Sequence, residues 1–155
     1  MTDNYEVSQK EQEGRDKVLS VFGNKIDFTQ SPKKYDSWDM SAVTYSHVDL
    51  TDKNIFVEVK DRKCKSTAYD TAFLEIGKLE KLSGLAKTYD AEIFYICTYT
   101  DGLMYVFNLK NINLLQIGFT IKNTEHETYS STKVMVDKVF IDLPFHLGKK
   151  YKLKK

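Results

Sequence analysis

Two opposite charges sit inside the apolar run Ile55-Phe56-Val57-Glu58-Val59-Lys60. Side chains alternate along a strand, so Ile55, Val57 and Val59 face one way and Phe56, Glu58 and Lys60 the other. The acid and the ammonium then share one surface, two residues apart. A run this apolar reads as a strand covered on both faces, where charge is costly unless it is paired or bound to a metal. Asp39, in Tyr35-Asp36-Ser37-Trp38-Asp39, opens the preceding strand. If the two strands pair antiparallel, the start of one lies beside the end of the other, and Asp39 approaches Glu58. Converging carboxylates repel unless a cation lies between them, and hard oxygen ligands suit Mg²⁺ or Mn²⁺. A cation held there activates water and neutralises charge on a phosphodiester, while a lysine within reach positions the water and stabilises developing negative charge.

The elements that must position these groups are legible from periodicity and turn signals. A first helix is expected over 8–22, opened by a Ser8-x-x-Glu11 capping box and stopped at Gly23-Asn24. A short strand over 25–29 is followed by a loop containing Pro32, a strand over 38–45, a polar turn and the 55–60 strand. Tyr69, Ala72, Phe73, Ile76, Leu79, Leu82 and Ala86 recur at helical spacing and predict a second helix over 68–88. An apolar strand over 91–98 leads through the hairpin signal Asp101-Gly102 into another at 103–109. Segments 117–121 and 134–143 read as two further strands. The fold class is α/β, a mixed sheet layered by helices, with extra C-terminal strands.

Asp39, followed nineteen residues later by Glu58-Val59-Lys60, resembles the PD-(D/E)XK nuclease superfamily. The order αβββαβ over 8–99 resembles its restriction-endonuclease-like common core, about two-thirds of the chain. The resemblance implies that Asp39, Glu58 and the backbone carbonyl of Val59 bind Mg²⁺ or Mn²⁺, and that Lys60 completes the catalytic set. It implies a DNA endonuclease, with Holliday-junction resolution as one possibility and a homodimer supplying two cuts. No proline directly precedes Asp39, and Pro32 lies seven residues upstream. Asp36 therefore competes for the role of first acid.

Two further acids are candidates for supporting roles. At 100° per residue Glu75 falls near Leu79, Leu82 and Ala86, with Lys78 at the border of that face. Glu11 falls among Gly14, Val18 and Phe22, with Glu13 as its alternative. Members of the superfamily place auxiliary polar residues on both helices. His47, His126 and His146 are scattered, with no spacing fit for zinc, and there is no Gly-rich phosphate loop. Cys97 reads as a core residue and Cys64, between two lysines, as a thiol with no histidine nearby in sequence.

Composition bounds the rest. The 155 residues, 41% hydrophobic and 13% aromatic, predict one domain over 1–155 with a packed core. No stretch approaches a membrane span, no secretory pattern opens the chain, and two unrelated cysteines imply a reduced, cytoplasmic setting. Net charge is +1, but five lysines lie within 149–155; removing them from the 23 basic residues leaves 18 against 22 acidic. The body is mildly acidic with a basic tail, either a frayed, solvated end or a phosphate-contacting arm. The competing function is a catalytically silent nucleic-acid- or protein-binding module on the same scaffold.

Overall fold

The structure is a computed structural model that describes residues 2–31, 38–46, 51–125 and 135–153. Helix α1 (Thr2–Phe22) leads to a two-residue strand β1 (Thr29–Gln30), then β2 (Met40–Ser46) and the long β3 (Thr51–Asp61). After a 3-10 turn at Ser66–Ala68 come β4 (Thr71–Glu75), α2 (Ile76–Tyr89), β5 (Ala91–Thr98) and β6 (Leu103–Asn108). The chain ends in β7 (Phe119–Glu125), β8 (Met135–Pro144) and β9 (Lys149–Lys152).

Six strands form the main sheet in the order β1-β2-β3-β5-β6-β9, and β4-β8-β7 form a second, antiparallel sheet. Strands β3 and β5 are parallel while every other neighbouring pair is antiparallel, so the main sheet is mixed. The parallel pair needs a crossover, which β4 and α2 supply. The alternation expected of β3 is present. Val57 and Val59 join Val18 of α1, Met40, Ile96 and Met104 on one face. Phe56 joins Leu82 of α2, Tyr95, Cys97 and Phe107 with the second sheet on the other. Burying side chains such as Leu82 and Phe107 completely is worth about 1.5–3 kcal/mol each. Gly14 lets α1 lie close on β3: a Cβ there would stand 3.1 Å from the Asp61 Cβ and 3.3 Å from a Val59 methyl. The Asp101-Gly102 hairpin also forms, with Gly102 at φ +80°.

Four expectations need correction. Helix α1 begins at Thr2, so Ser8 lies inside it and is not its cap. The short first strand lies at Thr29–Gln30, not over 25–29. The segment expected to begin a helix at 68 instead forms β4, and α2 starts only at Ile76. In β4, Ala72 and Leu74 are buried between half-buried Thr71, Phe73 and Glu75, a two-residue alternation masked by apolar residues that also fit a helical stripe. The basic tail is not frayed through Lys152. Lys149–Lys152 form β9, paired with Leu103–Val106 of β6, and Leu153 N–H donates to Gly102 O at 2.8 Å. Lysines lining an edge strand oppose pairing with another chain.

Candidate active site

The register places the acids together. Met40 pairs with Val57, so Asp39, one residue earlier, stands opposite Glu58 at the mouth of β2. The main chain of Asp39 is held on both sides: its N–H donates to Val57 O and its carbonyl accepts from Ser31 N–H, each at 2.8 Å. Its carboxylate is also held. Oδ2 accepts the Val59 N–H at 2.7 Å, and Oδ1 accepts Arg15 Nη2 at 3.0 Å and Nε at 3.3 Å. Arg15 spends its remaining arm on Ser31 O at 2.8 Å. One buried guanidinium thus ties α1 to the segment that aims Asp39.

Glu58 is buried, and burial followed by the adjacent Asp39 charge pushes its pKa up to about 8, against the pull of Lys78. Lys78 Nζ, on the first turn of α2, lies 3.5 Å from Glu58 Oε1. The attraction of Glu58 raises the Lys78 pKa despite its own burial. Lys60, half-buried on the same face as Glu58, is shifted the other way, lowered by burial and by Arg62 while Glu58 opposes the change. Arg62 follows two residues on, donating to Phe73 O at 2.8 Å and to the Tyr95 hydroxyl at 3.3 Å.

Among the described residues no group of three His, Cys, Asp or Glu side chains converges as a metal site. The oxygen ligands that do meet are the carboxylates of Asp39 and Glu58, and the Val59 carbonyl shares the β3 edge they face. An extended residue presents its N–H and C=O to the same edge. Since the Val59 N–H meets Asp39 Oδ2, the Val59 carbonyl is directed beyond the first residue of β2, alongside the acids. Three hard oxygens suit Mg²⁺ or Mn²⁺, with water filling the remaining positions. A buried carboxyl forced to keep its proton beside another carboxylate is where a dication would take the proton's place.

Glu75 occupies the N-cap position of α2 at the end of β4 without a side-chain capping bond, its Oε2 lies 3.8 Å from Lys138, and its charge is felt by Lys78. Glu11 is half-buried on α1 one turn before Arg15, while Glu13 is exposed and meets Lys63 at 3.4 Å. Asp36, His47 and His126 lie outside the described residues. Cys97 is a core residue whose thiol pKa is raised by burial. Arg15 escaped the sequence reading, although it lies on the same helical stripe as Glu11, Val18 and Phe22, where an unpaired charge would be costly.

The fold has a structural counterpart. The chain matches Hjc, a Holliday junction resolvase of Archaeoglobus fulgidus, with a TM-score of 0.55 and 15% identity, over 90% of each chain. This chain has the restriction-endonuclease-like fold. The register of β2 on β3 sets Asp39 opposite Glu58, with Lys60 two residues further along β3. No protein-family model and no curated protein matches the sequence. Among the described residues, no helix of this restriction-endonuclease-like chain is long and apolar enough to cross a membrane.

Proposed function

We propose that this chain is a metal-dependent endonuclease, one domain over 1–155, that hydrolyses phosphodiester bonds of DNA rather than RNA. The observation carrying this reading is the meeting of Asp39 and Glu58 across the β2–β3 ladder, with Lys60 two residues on and facing the same way. Asp39, Glu58 and the Val59 carbonyl would hold Mg²⁺ or Mn²⁺, which supplies Lewis acidity and neutralises charge on the phosphoryl oxygens. Asp39 is preferred to Asp36 as the first acid because its main chain and carboxylate are both fixed against β3. Lys60 Nζ, drawn towards neutrality by burial, orients the attacking water and can accept its proton. Lys78 Nζ, beside Glu58, is placed to offset charge building on the phosphate. Glu75 and Glu11 act in support: Glu75 through Lys78, Glu11 from the helix that carries Arg15. Branched DNA is the preferred substrate class, and a homodimer would cut a junction twice.

The test is incubation with single-stranded, duplex and branched DNA, and with RNA, with and without Mg²⁺ or Mn²⁺. Cleavage that needs the metal and disappears in Glu58→Ala and Lys60→Ala supports the assignment; undiminished cleavage in both variants overturns it. One observation favours the silent binding module: both oxygens of Asp39 already accept hydrogen bonds from the protein. That reading expects nucleic-acid binding without cleavage under every metal condition.

A further inference from the structure

Over β4 and the adjoining end of β8 the second sheet turns one face into the core; the opposite, outward face is half-buried, with the Lys138 side chain 17% exposed, and is chemically unusual. Ala72, Leu74, Ile141 and Leu143 turn into the core. On the opposite face Lys122 and Lys138 stand directly across from each other on β7 and β8. Like charges in direct cross-strand register are destabilising. Here they are only partly relieved. Lys138 is 3.8 Å from Glu75, and the Lys122 ammonium lies 3.4 Å from the Phe73 ring centroid and 5.1 Å from that of Tyr69. Asp142 on the same face attracts Lys122, but its Oδ2 is taken by Thr120 at 2.7 Å and its Oδ1 is buried without a hydrogen-bond partner.

This face continues into the candidate active site. Arg62 lies within electrostatic reach of both Lys60 and Lys122, and its hydrogen bond to Phe73 O joins β3 to the edge of β4. Glu75 links the other flank, paired with Lys138 and felt by Lys78. Arg62 and Lys78 on the site side of β4 thus lead towards Lys138 and Lys122 on β8 and β7. Beside them stands Tyr69, 55% exposed and edge-on to Phe73 at 5.2 Å. Paired cations with an open aromatic ring match a strand that offers regularly spaced phosphates and an unstacked base.

We infer that the outward face of the second sheet is the track for a DNA strand flanking the scissile phosphate, with Lys122 and Lys138 on its phosphates and Tyr69 stacked on an unpaired base. This rests on the nuclease reading and narrows its substrate to DNA with a single-stranded arm. The lysine-lined β9 edge lies three strands from β3 in the main sheet and serves as an internal control.

The test is fluorescence anisotropy in EDTA with labelled single-stranded, duplex and branched DNA of one sequence, over a salt series. The Lys122→Gln/Lys138→Gln double variant should bind all three forms roughly tenfold more weakly, with a salt slope shallower by about 1 to 2. Tyr69→Ala, at a ring more than half exposed, should lose roughly tenfold on single-stranded and branched DNA and stay within about twofold on duplex, with its circular-dichroism spectrum unchanged. Replacing Lys149, Lys150 and Lys152 by Gln should leave affinity within about twofold, the difference expected for charges off the track. Wild-type affinity and slope in the double variant would overturn the inference, as would an equal loss from the β9 variant. Unchanged binding and cleavage in the lysine variants removes the track alone. Binding by wild type without cleavage in any metal removes the nuclease reading alone.

Discussion

Glu58 and Asp61 lie three residues apart on β3, on opposite faces, with side chains 11% and 7% exposed. Burial raises the pKa of both, more for the deeper Glu58, and the donors each acid meets decide the net direction. On the α1 side, burial pushes the Asp61 pKa up, but hydrogen bonds from Lys17 at 2.7 Å, Thr98 at 2.7 Å and Lys63 at 2.9 Å outweigh it and hold the group below its ordinary value. On the α2 side Glu58 has a second carboxyl beside it and Lys78 at 3.5 Å, and its pKa rises to about 8. A buried acid held by several donors stays ionised, whereas one beside a second carboxyl is held protonated, a perturbation that clusters at functional sites.

The largest test of this contrast is activity. Glu58→Gln and Lys60→Ala should each lower metal-dependent cleavage by about a thousandfold while the circular-dichroism spectrum and cooperative unfolding persist. Asp61→Asn should leave the rate per folded molecule within severalfold. Equal losses at Glu58 and Asp61 would erase the distinction between the two faces.

Stability should order the variants differently. Arg15→Leu leaves Asp39 and Ser31 O without their buried donor and should cost about 3 kcal/mol in urea unfolding. Asp61→Asn strips Thr98 and Lys17 of a charged acceptor and should cost about 2 kcal/mol. Glu58→Gln should be neutral or stabilising in EDTA above neutral pH.

Per pH unit the expected change is smaller than either substitution, and its sign separates the two acids. Glu58 has a folded pKa near 8 against 4.5 ordinarily, so its contribution is fullest below 4.5 and is lost as pH rises to 8. Metal-free protein should lose up to about 1.4 kcal/mol per pH unit across that window, and Glu58→Gln should flatten the curve. The contribution of Asp61 is present above 3.8 and is lost as pH falls below it. Urea midpoints from pH 3 to 9 give both limbs.

What could be read from sequence follows from how local each signal is. The two faces of β3 were legible because alternation is carried by adjacent residues, and the Asp39–Glu58 encounter because neighbouring strands pair through a loop. In sequence Asp61-Arg62-Lys63 is three consecutive charges, a pattern that reads as solvated. Only Lys63 of the three is exposed, because Thr98 and Phe73, 37 and 11 residues away, supply the partners of Asp61 and Arg62. Strand β4 was hidden for the same reason: its partner β8 is more than 60 residues along the chain, and the intervening apolar spacing also fits a helix. The pairing of β9 with β6 is likewise invisible to composition, which registers only lysines.

The account stands on Asp39 and Glu58 jointly holding a hard dication, and calorimetric titration of the protein with Mn²⁺ measures that directly. Wild type should bind Mn²⁺, with binding lost in Asp39→Asn and in Glu58→Gln and retained in Asp61→Asn. Absence of binding in wild type, or binding that survives both substitutions at the β2–β3 junction, would contradict it.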